Sequence, residues 1–246
     1  MKHDFNGDIA FVSGAGRGFG RMAAERLATA GAHVVISDLT SDAVAATVAA
    51  IRSAGGKADG LAGDIALEET SQRLAQFIGE RHGRLDIAIN NAGIVQPQRR
   101  LHDTDSDLAA RVIAVDLMGV FHAMKHQIPL LLQGVAAHGR QGRILNVASA
   151  AGLMGSPMLA IYSAAKHGVV GLTRSAAVEY GRKGLRINCI CPAFTKTDMV
   201  LKPLEESPHG REKAEAGMIA YNPMQRLGEV EEVVQDYVAR ALDDIG

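Results

Sequence analysis

Ile9-Ala10-Phe11-Val12-Ser13-Gly14-Ala15-Gly16-Arg17-Gly18-Phe19-Gly20 is the stretch whose reading decides the fold. A short apolar run gives way to alternating glycines and then, without a break, to Arg21-Met22-Ala23-Ala24-Glu25-Arg26-Leu27-Ala28-Thr29-Ala30. That segment has helical composition, with Gly31 placed as its C-cap. A strand that turns on glycines straight into a helix brings backbone N–H groups to the positive helix end, where a pyrophosphate is received. The spacing departs from G-x-G-x-x-G, because Phe19 stands where that pattern has its third glycine. Gly14, Arg17, Gly18, Phe19 and Gly20 are the candidate contacts of the turn. Its bland alternative is a glycine-rich turn with no ligand.

Outward from this unit the same alternation recurs. Strand candidates are IAFVSG from Ile9, HVVISD from His33, KADGLAGD from Lys57, LDIAINNA from Leu85, GRILNVAS from Gly142 and LRINCICP from Leu185, separated by helical segments rich in Ala, Leu, Glu and Arg. Repeated βα units predict an α/β fold: a doubly wound, Rossmann-like parallel sheet in the order 3-2-1-4-5-6, with helices on both faces. With 246 residues, 47% of them hydrophobic, and no linker, the expectation is one dehydrogenase-type domain over 1–246. Pro203 to Pro223 breaks the alternation and reads as a mobile substrate lid, followed by a Glu-rich helix from Glu229 to about Leu242.

Lys and Arg total 26 against 27 Asp and Glu, a net charge of -1, which gives no field favouring nucleic acid or an anionic membrane. A small, weakly charged substrate fits better. The polar opening MKHDFNGD and the short IAFV run lack the features of a leader or a span, so a cytoplasmic location is expected. Cys189 and Cys191 read as buried core thiols on one strand face, not as a disulfide.

Asp38, at the end of the second strand, stands near the distance at which an acid accepts hydrogen bonds from the adenosine ribose hydroxyls. It would repel a 2′-phosphate. Arg17 would attract one, and Asp38 is taken to outweigh it, so NAD is expected over NADP. The alternative for Asp38 is a helix cap or a turn acid, with Thr40 and Ser41 competing for the cap role.

Tyr162 and Lys166 are four apart, on one face of a helix. A phenol, with a free pKa of about 10, is a poor base at neutral pH unless positive charge favours the phenolate, and Lys166 supplies that charge. Ser149 ends the fifth strand at the carboxyl edge, where ligands of open α/β sheets bind, and is placed to hydrogen-bond a substrate oxygen. Each residue alone has an ordinary reading as a surface aromatic, a solvated charge or a turn former. Their order behind a glycine turn is what points to catalysis.

The glycine turn, Asp38, Asp64, Asn90-Asn91-Ala92-Gly93, Ser149, Tyr162, Lys166 and Asn188 through Pro192 fall in the order of the short-chain dehydrogenase/reductase family, which the chain resembles from Asp8 to about Met199. The resemblance implies that Asp64 and Ile65 flank the adenine and that Asn91, Ala92 and Gly93, with Asn90, support the cofactor and the central sheet. It implies Tyr162 as acid/base, Lys166 on the nicotinamide ribose, and Thr197, in the stretch from Pro192, on the carboxamide. It further implies a homo-oligomer, dimer or tetramer, paired through the helix from Ala109 to Leu132.

Three departures stand out. Asp116 occupies the place where the family usually has Asn in its proton relay, and an ionised carboxylate lacks the amide's donor. Pro192-Ala193 replaces Pro-Gly, and the chain stops at Gly246, so the family's seventh strand is expected to be missing. Candidate substrate contacts are Gln96, Met154, Leu159, Phe194, Met199 and Leu201. His122 and His126 have metal-pair spacing but no third ligand in sequence, and no metal is expected. Two functions fit these residues: hydride transfer between NAD(H) and a secondary alcohol or ketone, and a non-catalytic dinucleotide-binding scaffold. The intact Ser149, Tyr162 and Lys166 favour the enzyme.

Overall fold

In strand β1 (Ile9–Ser13), Ile9 and Phe11 point to one side, Ala10 and Val12 to the other, and all four are buried. Two-sided burial of a strand requires a covered sheet, and the chain supplies it. The computed structural model describes residues 5–208, 210–220 and 222–240. β1 lies at the centre of a parallel sheet with β2 (His33–Ser37), β3 (Lys57–Gly60), β4 (Ile87–Asn90), β5 (Gly142–Val147) and β6 (Leu185–Ile190), in the order β3-β2-β1-β4-β5-β6. The expected strand order is therefore the observed one. Each strand ends before its sequence run does, since the polar and glycine residues that follow leave the ladder at the carboxyl edge.

Helices α1 (Gly18–Thr29) and α2 (Ser41–Ser53) cover the Ala10 and Val12 face together with the last helix. Helices α3 (Glu68–His82), α5 (Gly119–His138) and α6 (Ala160–Tyr180) cover the Ile9 and Phe11 face. Helix α4 (Ser106–Ile113) runs into α5 through a π-helical turn, Ala114–Met118. Local chemistry sets several ends: Thr40 Oγ1 caps α2 through the Ala43 N–H, and Asp105 caps α4 through Asp107 and Leu108. Ala30, one residue before the expected Gly31, caps α1.

The segment read as a lid contains structure that sequence patterning missed. Helix α7 (Asp198–Glu205) begins five residues before Pro203 and includes it, and α8 (Arg211–Ile219) follows. Helix α9 (Val230–Arg240) matches the Glu-rich prediction, with Glu232 accepting from the Glu229 N–H at 2.8 Å. The bonded Arg226 guanidinium, with that N–H, holds the Glu232 carboxyl down at about 2. The rest of that helix, and the question of a seventh strand, lie outside the described residues. Cys189 and Cys191 carry free thiols that are half-buried, not fully buried as expected.

At the β3 edge, Asp59 joins β2 and α3. Its Oδ2 lies 2.8 Å from His33 Nε2 and 3.5 Å from His82 Nε2, while Oδ1 takes the guanidiniums of Arg52 at 3.1 Å and Arg81 at 3.5 Å. Two guanidiniums already compensate this carboxylate, so the cluster is an ion-pair network and a poor seat for a dication. On α5, His126 pairs with Glu68 at 3.1 Å while His122 is buried.

Beneath the carboxyl edge runs a buried chain of amides. Asn90 Nδ2 donates to Asn146 Oδ1 at 2.9 Å and to Gln127 Oε1 at 3.1 Å, Gln127 returns a bond to Asn90 Oδ1 at 2.8 Å, and Asn146 Nδ2 donates to Thr173 Oγ1 at 3.0 Å. These bonds tie β4 and β5 to α5 and α6. Asn146→Ala leaves Asn90 and Thr173 short of partners and is expected to cost roughly 1–3 kcal/mol, read as a lower urea midpoint. A midpoint equal to wild type would show that the network adds no stability.

Candidate functional site

Every strand contributes to one edge. The glycine turn follows β1, Asp38 follows β2, Asp64 and Ile65 follow β3, Asn91 to Gly93 follow β4, Ser149 follows β5, and Pro192 to Thr197 follow β6. A parallel sheet with right-handed crossovers puts all six carboxyl ends there, at the topological switch point between β1 and β4.

Helix α1 starts on Arg17 with no side-chain cap and no acidic residue in its first turn, so its first N–H groups are left for an anion. Gly14 and Gly18 take positive φ (62° and 55°), and a Cβ on Gly18 would meet nothing within 4 Å. On the protein side the fit is tight: a Cβ on Gly20 would lie 2.2 Å from the Gly14 carbonyl oxygen. An uncapped helix end above an open cradle fits a dinucleotide pyrophosphate. Phe19 contributes backbone to the turn while its ring packs 5.9 Å from that of Tyr237, in the core.

Asp38 Oδ2 accepts from the Gly16 N–H at 2.8 Å and Oδ1 from Leu39 at 2.7 Å. Thr40 caps α2, which removes the helix-cap alternative for Asp38, while the bonds from Gly16 and Leu39 keep the turn-acid one. Arg17 points away to Asp198, 3.5 Å distant, both side chains largely exposed. Asp64 binds Arg111 at 2.7 Å and the Ala66 N–H at 3.0 Å. Burial pushes its pKa up, but Arg111 and Ala66 together take it below the usual range. Asn91 spends its side chain on the turn, donating to the Ser13 and Gly14 carbonyls at 3.0 and 3.1 Å.

On α6, Tyr162 and Lys166 share the face predicted for them. Lys166 Nζ sits 5.6 Å from the Tyr162 ring centroid, donates to the Val147 carbonyl at 3.1 Å, and lies 3.8 Å from Asp116 Oδ2. Gly93 lets these groups meet, since a Cβ there would lie 3.3 Å from both Asp116 Oδ1 and Lys166 Nζ. Burial raises the Asp116 pKa, against the pull of Lys166 and of the Ile94 N–H. Ser149 Oγ accepts from Ala151 N at 3.2 Å, which leaves its proton for another partner.

The predicted substrate contacts divide. Met154, Phe194 and Met199 are exposed at the edge, and Leu153 and Met158, which sequence reading passed over, are exposed with them. Leu159 and Leu201 are half-buried. Gln96 is different: it is buried, and its Oε1 accepts the Tyr162 backbone N–H at 2.9 Å, so it supports the tyrosine from behind. Thr197 precedes α7 with its N–H bonded to the Thr195 carbonyl at 2.7 Å, and Ala193 is exposed. Tyr237 was also missed. It is fully buried, donates to Asn91 Oδ1 at 3.3 Å, and is pushed well up by burial, with Tyr162 and Asp236 adding to that. A lone aromatic in a charged helix carries no signal for such a contact.

Among the described residues, no helix is long and apolar enough to cross a membrane. A family model described as short chain dehydrogenase matches residues 8–207. Cyclohexanol dehydrogenase of Acinetobacter sp. (strain SE19) is 39% identical over 99% of this chain and 91% of its own length. Among solved structures, levodione reductase gives a TM-score of 0.89 at 34% identity, covering 98% of this chain and 92% of that one. NAD+-bound xylitol dehydrogenase gives a TM-score of 0.90 at 28% identity, covering 98% and 94%. The chain therefore belongs to the short-chain dehydrogenase family, oxidoreductases that act on CH–OH groups.

Proposed function

We propose that this chain is an NAD-dependent dehydrogenase that interconverts a cyclic secondary alcohol and its ketone. The observation that carries the reading is the Tyr162 and Lys166 pair on α6, with an uncapped glycine turn and the exposed Leu153, Met154, Met158, Phe194 and Met199 on segments that follow strands of the same sheet. An apolar rim favours a substrate with little charge and much hydrocarbon. Resemblance to a cyclohexanol dehydrogenase supports a ring-borne hydroxyl.

A bound nicotinamide dinucleotide supplies the hydride acceptor for oxidation and the donor for reduction. The protein's own groups do the rest. Ser149 donates its free hydroxyl proton to the substrate oxygen and fixes its place. The Tyr162 phenolate takes the alcohol proton in oxidation, and the phenol returns it in reduction. Lys166 favours the phenolate by its charge and would hold the nicotinamide ribose. Gln96 holds the Tyr162 backbone, so the phenol is presented from a fixed helix start. Helices α7 and α8 are the proposed lid segment, of which α8 buries no residue and α7 buries Leu204.

Tyr162→Phe is expected to lower kcat by roughly 10²–10⁴ with cyclohexanol and NAD while leaving dinucleotide affinity near wild type. Absorbance at the NADH band and a dinucleotide titration measure the two. Wild-type protein that binds NAD but turns over no secondary alcohol or ketone would favour the scaffold.

NAD over NADP follows from Asp38, whose carboxylate at the end of β2 meets a ribose hydroxyl favourably and a 2′-phosphate unfavourably. Asp38→Ser is expected to move the kcat/KM ratio toward NADP by about 10–100-fold, the scale of removing one close like-charge contact. An unchanged ratio, or wild-type preference for NADP, assigns cofactor choice elsewhere.

A further inference from the structure

The π-helical turn Ala114–Met118 adds a residue to the wall between α4 and α5, and Asp116 within it is 0% exposed. Its Oδ1 accepts from the Ile94 N–H at 2.7 Å, while the buried Oδ2 has no hydrogen-bond partner and faces Lys166 Nζ at 3.8 Å. The Lys166 side chain is 4% exposed, and its one hydrogen-bond partner among the described residues is the Val147 carbonyl. An ammonium so enclosed is costly by itself, and a carboxylate at this range leaves the pair without net charge.

We propose that Asp116 is a positioning residue whose carboxylate counters the charge of Lys166, and thereby sets the pH at which Tyr162 exchanges its proton. The proposal rests on the roles given above to Tyr162 and Lys166. Lys166 favours a phenolate by its charge, and a negative charge 3.8 Å from that ammonium opposes the effect. The other groups on this cluster are few: α6 brings Tyr162 itself, α9 brings Tyr237, neutral and backed by Asp236, and the segment after β4 brings the Ile94 N–H. Burial raises the Asp116 pKa, with Lys166 and the Ile94 N–H pulling against it. Above its titration the carboxylate damps Lys166; below it, as the neutral acid, it leaves Lys166 unopposed. An Asn at this position, as in the family pattern, has no such charge.

Asp116→Asn keeps the Oδ1 acceptor for Ile94 and removes the charge. The test is an ultraviolet difference titration of the tyrosinate band in protein without dinucleotide, with Tyr162→Phe subtracted in each background so that the Tyr162 component is isolated. The midpoint of that component is expected to fall by about one pH unit in Asp116→Asn, a tenfold change in the ionisation ratio. The acid limb of kcat/KM for alcohol oxidation should fall with it. Asp116→Ser, also neutral, is expected to shift the midpoint in the same direction, which covers a folding failure of the first variant. An unchanged or raised midpoint in folded neutral variants overturns the proposal, since Asp116 then carries no charge that Lys166 senses. The titration needs no turnover, so the two readings fail separately. A shifted midpoint in a protein that oxidises no alcohol keeps the counter-charge and sinks the catalytic role, whereas an active enzyme with no shift does the reverse.

Discussion

Asn91 donates its side-chain amide to the carbonyls of Ser13 and Gly14, while its own N–H and that of Ala92 both reach Ser13 Oγ at 3.1 Å. The carboxyl ends of the two central strands are thereby drawn together more closely than a side chain on Gly14 or Gly20 would permit. The rest of the site depends on this closure. With the turn held from the β4 side, no cap on α1 is needed to fix it, and the first N–H groups of that helix stay free. Tyr237 completes the clamp on Asn91 Oδ1, so α9, 146 residues away in sequence, belongs to the same device.

Polar groups below the site are treated in two ways. The Asn90, Gln127, Asn146 and Thr173 chain satisfies its members with one another, which fixes α5 and α6 against the sheet. Closer to the chemistry, satisfaction is incomplete. Gln96 Nε2 and Asp116 Oδ2 are both buried without a hydrogen-bond partner, and each belongs to a residue that contacts Tyr162 or pairs with Lys166. Unpaired buried atoms cost free energy; others lie elsewhere in the described residues, and these two sit beside the proposed acid/base pair.

Strand positions and the Tyr162 to Lys166 pairing were legible because each depends on short-range periodicity, two for strands and 3.6 for helices, while the strand order came with the doubly wound pattern. Ser149 and Asp38 were legible because parallel topology puts every strand end on one edge. Gln96 was misplaced as a lining residue, since no local pattern shows that its amide turns 66 residues forward to the Tyr162 N–H. Arg17 was weighed against Asp38 as a phosphate ligand; the exposed pair that its guanidinium makes with Asp198 was not anticipated, because the helix of Asp198 was not. Pro203 hid that helix, because proline reads as a break while α7 carries it inside. The inward turn of Asp116 came from a π-helical register that ordinary helical periodicity does not encode.

The two halves of the edge differ in how firmly they are built. On the proposed dinucleotide side, turn, strand ends and α9 are locked by part-buried bonds and by Gly14 and Gly20, where a Cβ has no room. On the substrate side, α8 buries no residue, α7 buries Leu204, and the links to the rest of the protein include the exposed Arg17 to Asp198 and Lys196 to Glu229 pairs. Exposed pairs of this kind contribute little stability, about 0–1 kcal/mol each. Sequence change is therefore cheap on the rim and costly in the turn. That asymmetry suits the proposed division of the edge, in which a rigid turn holds the cofactor and a loosely held rim meets the substrate.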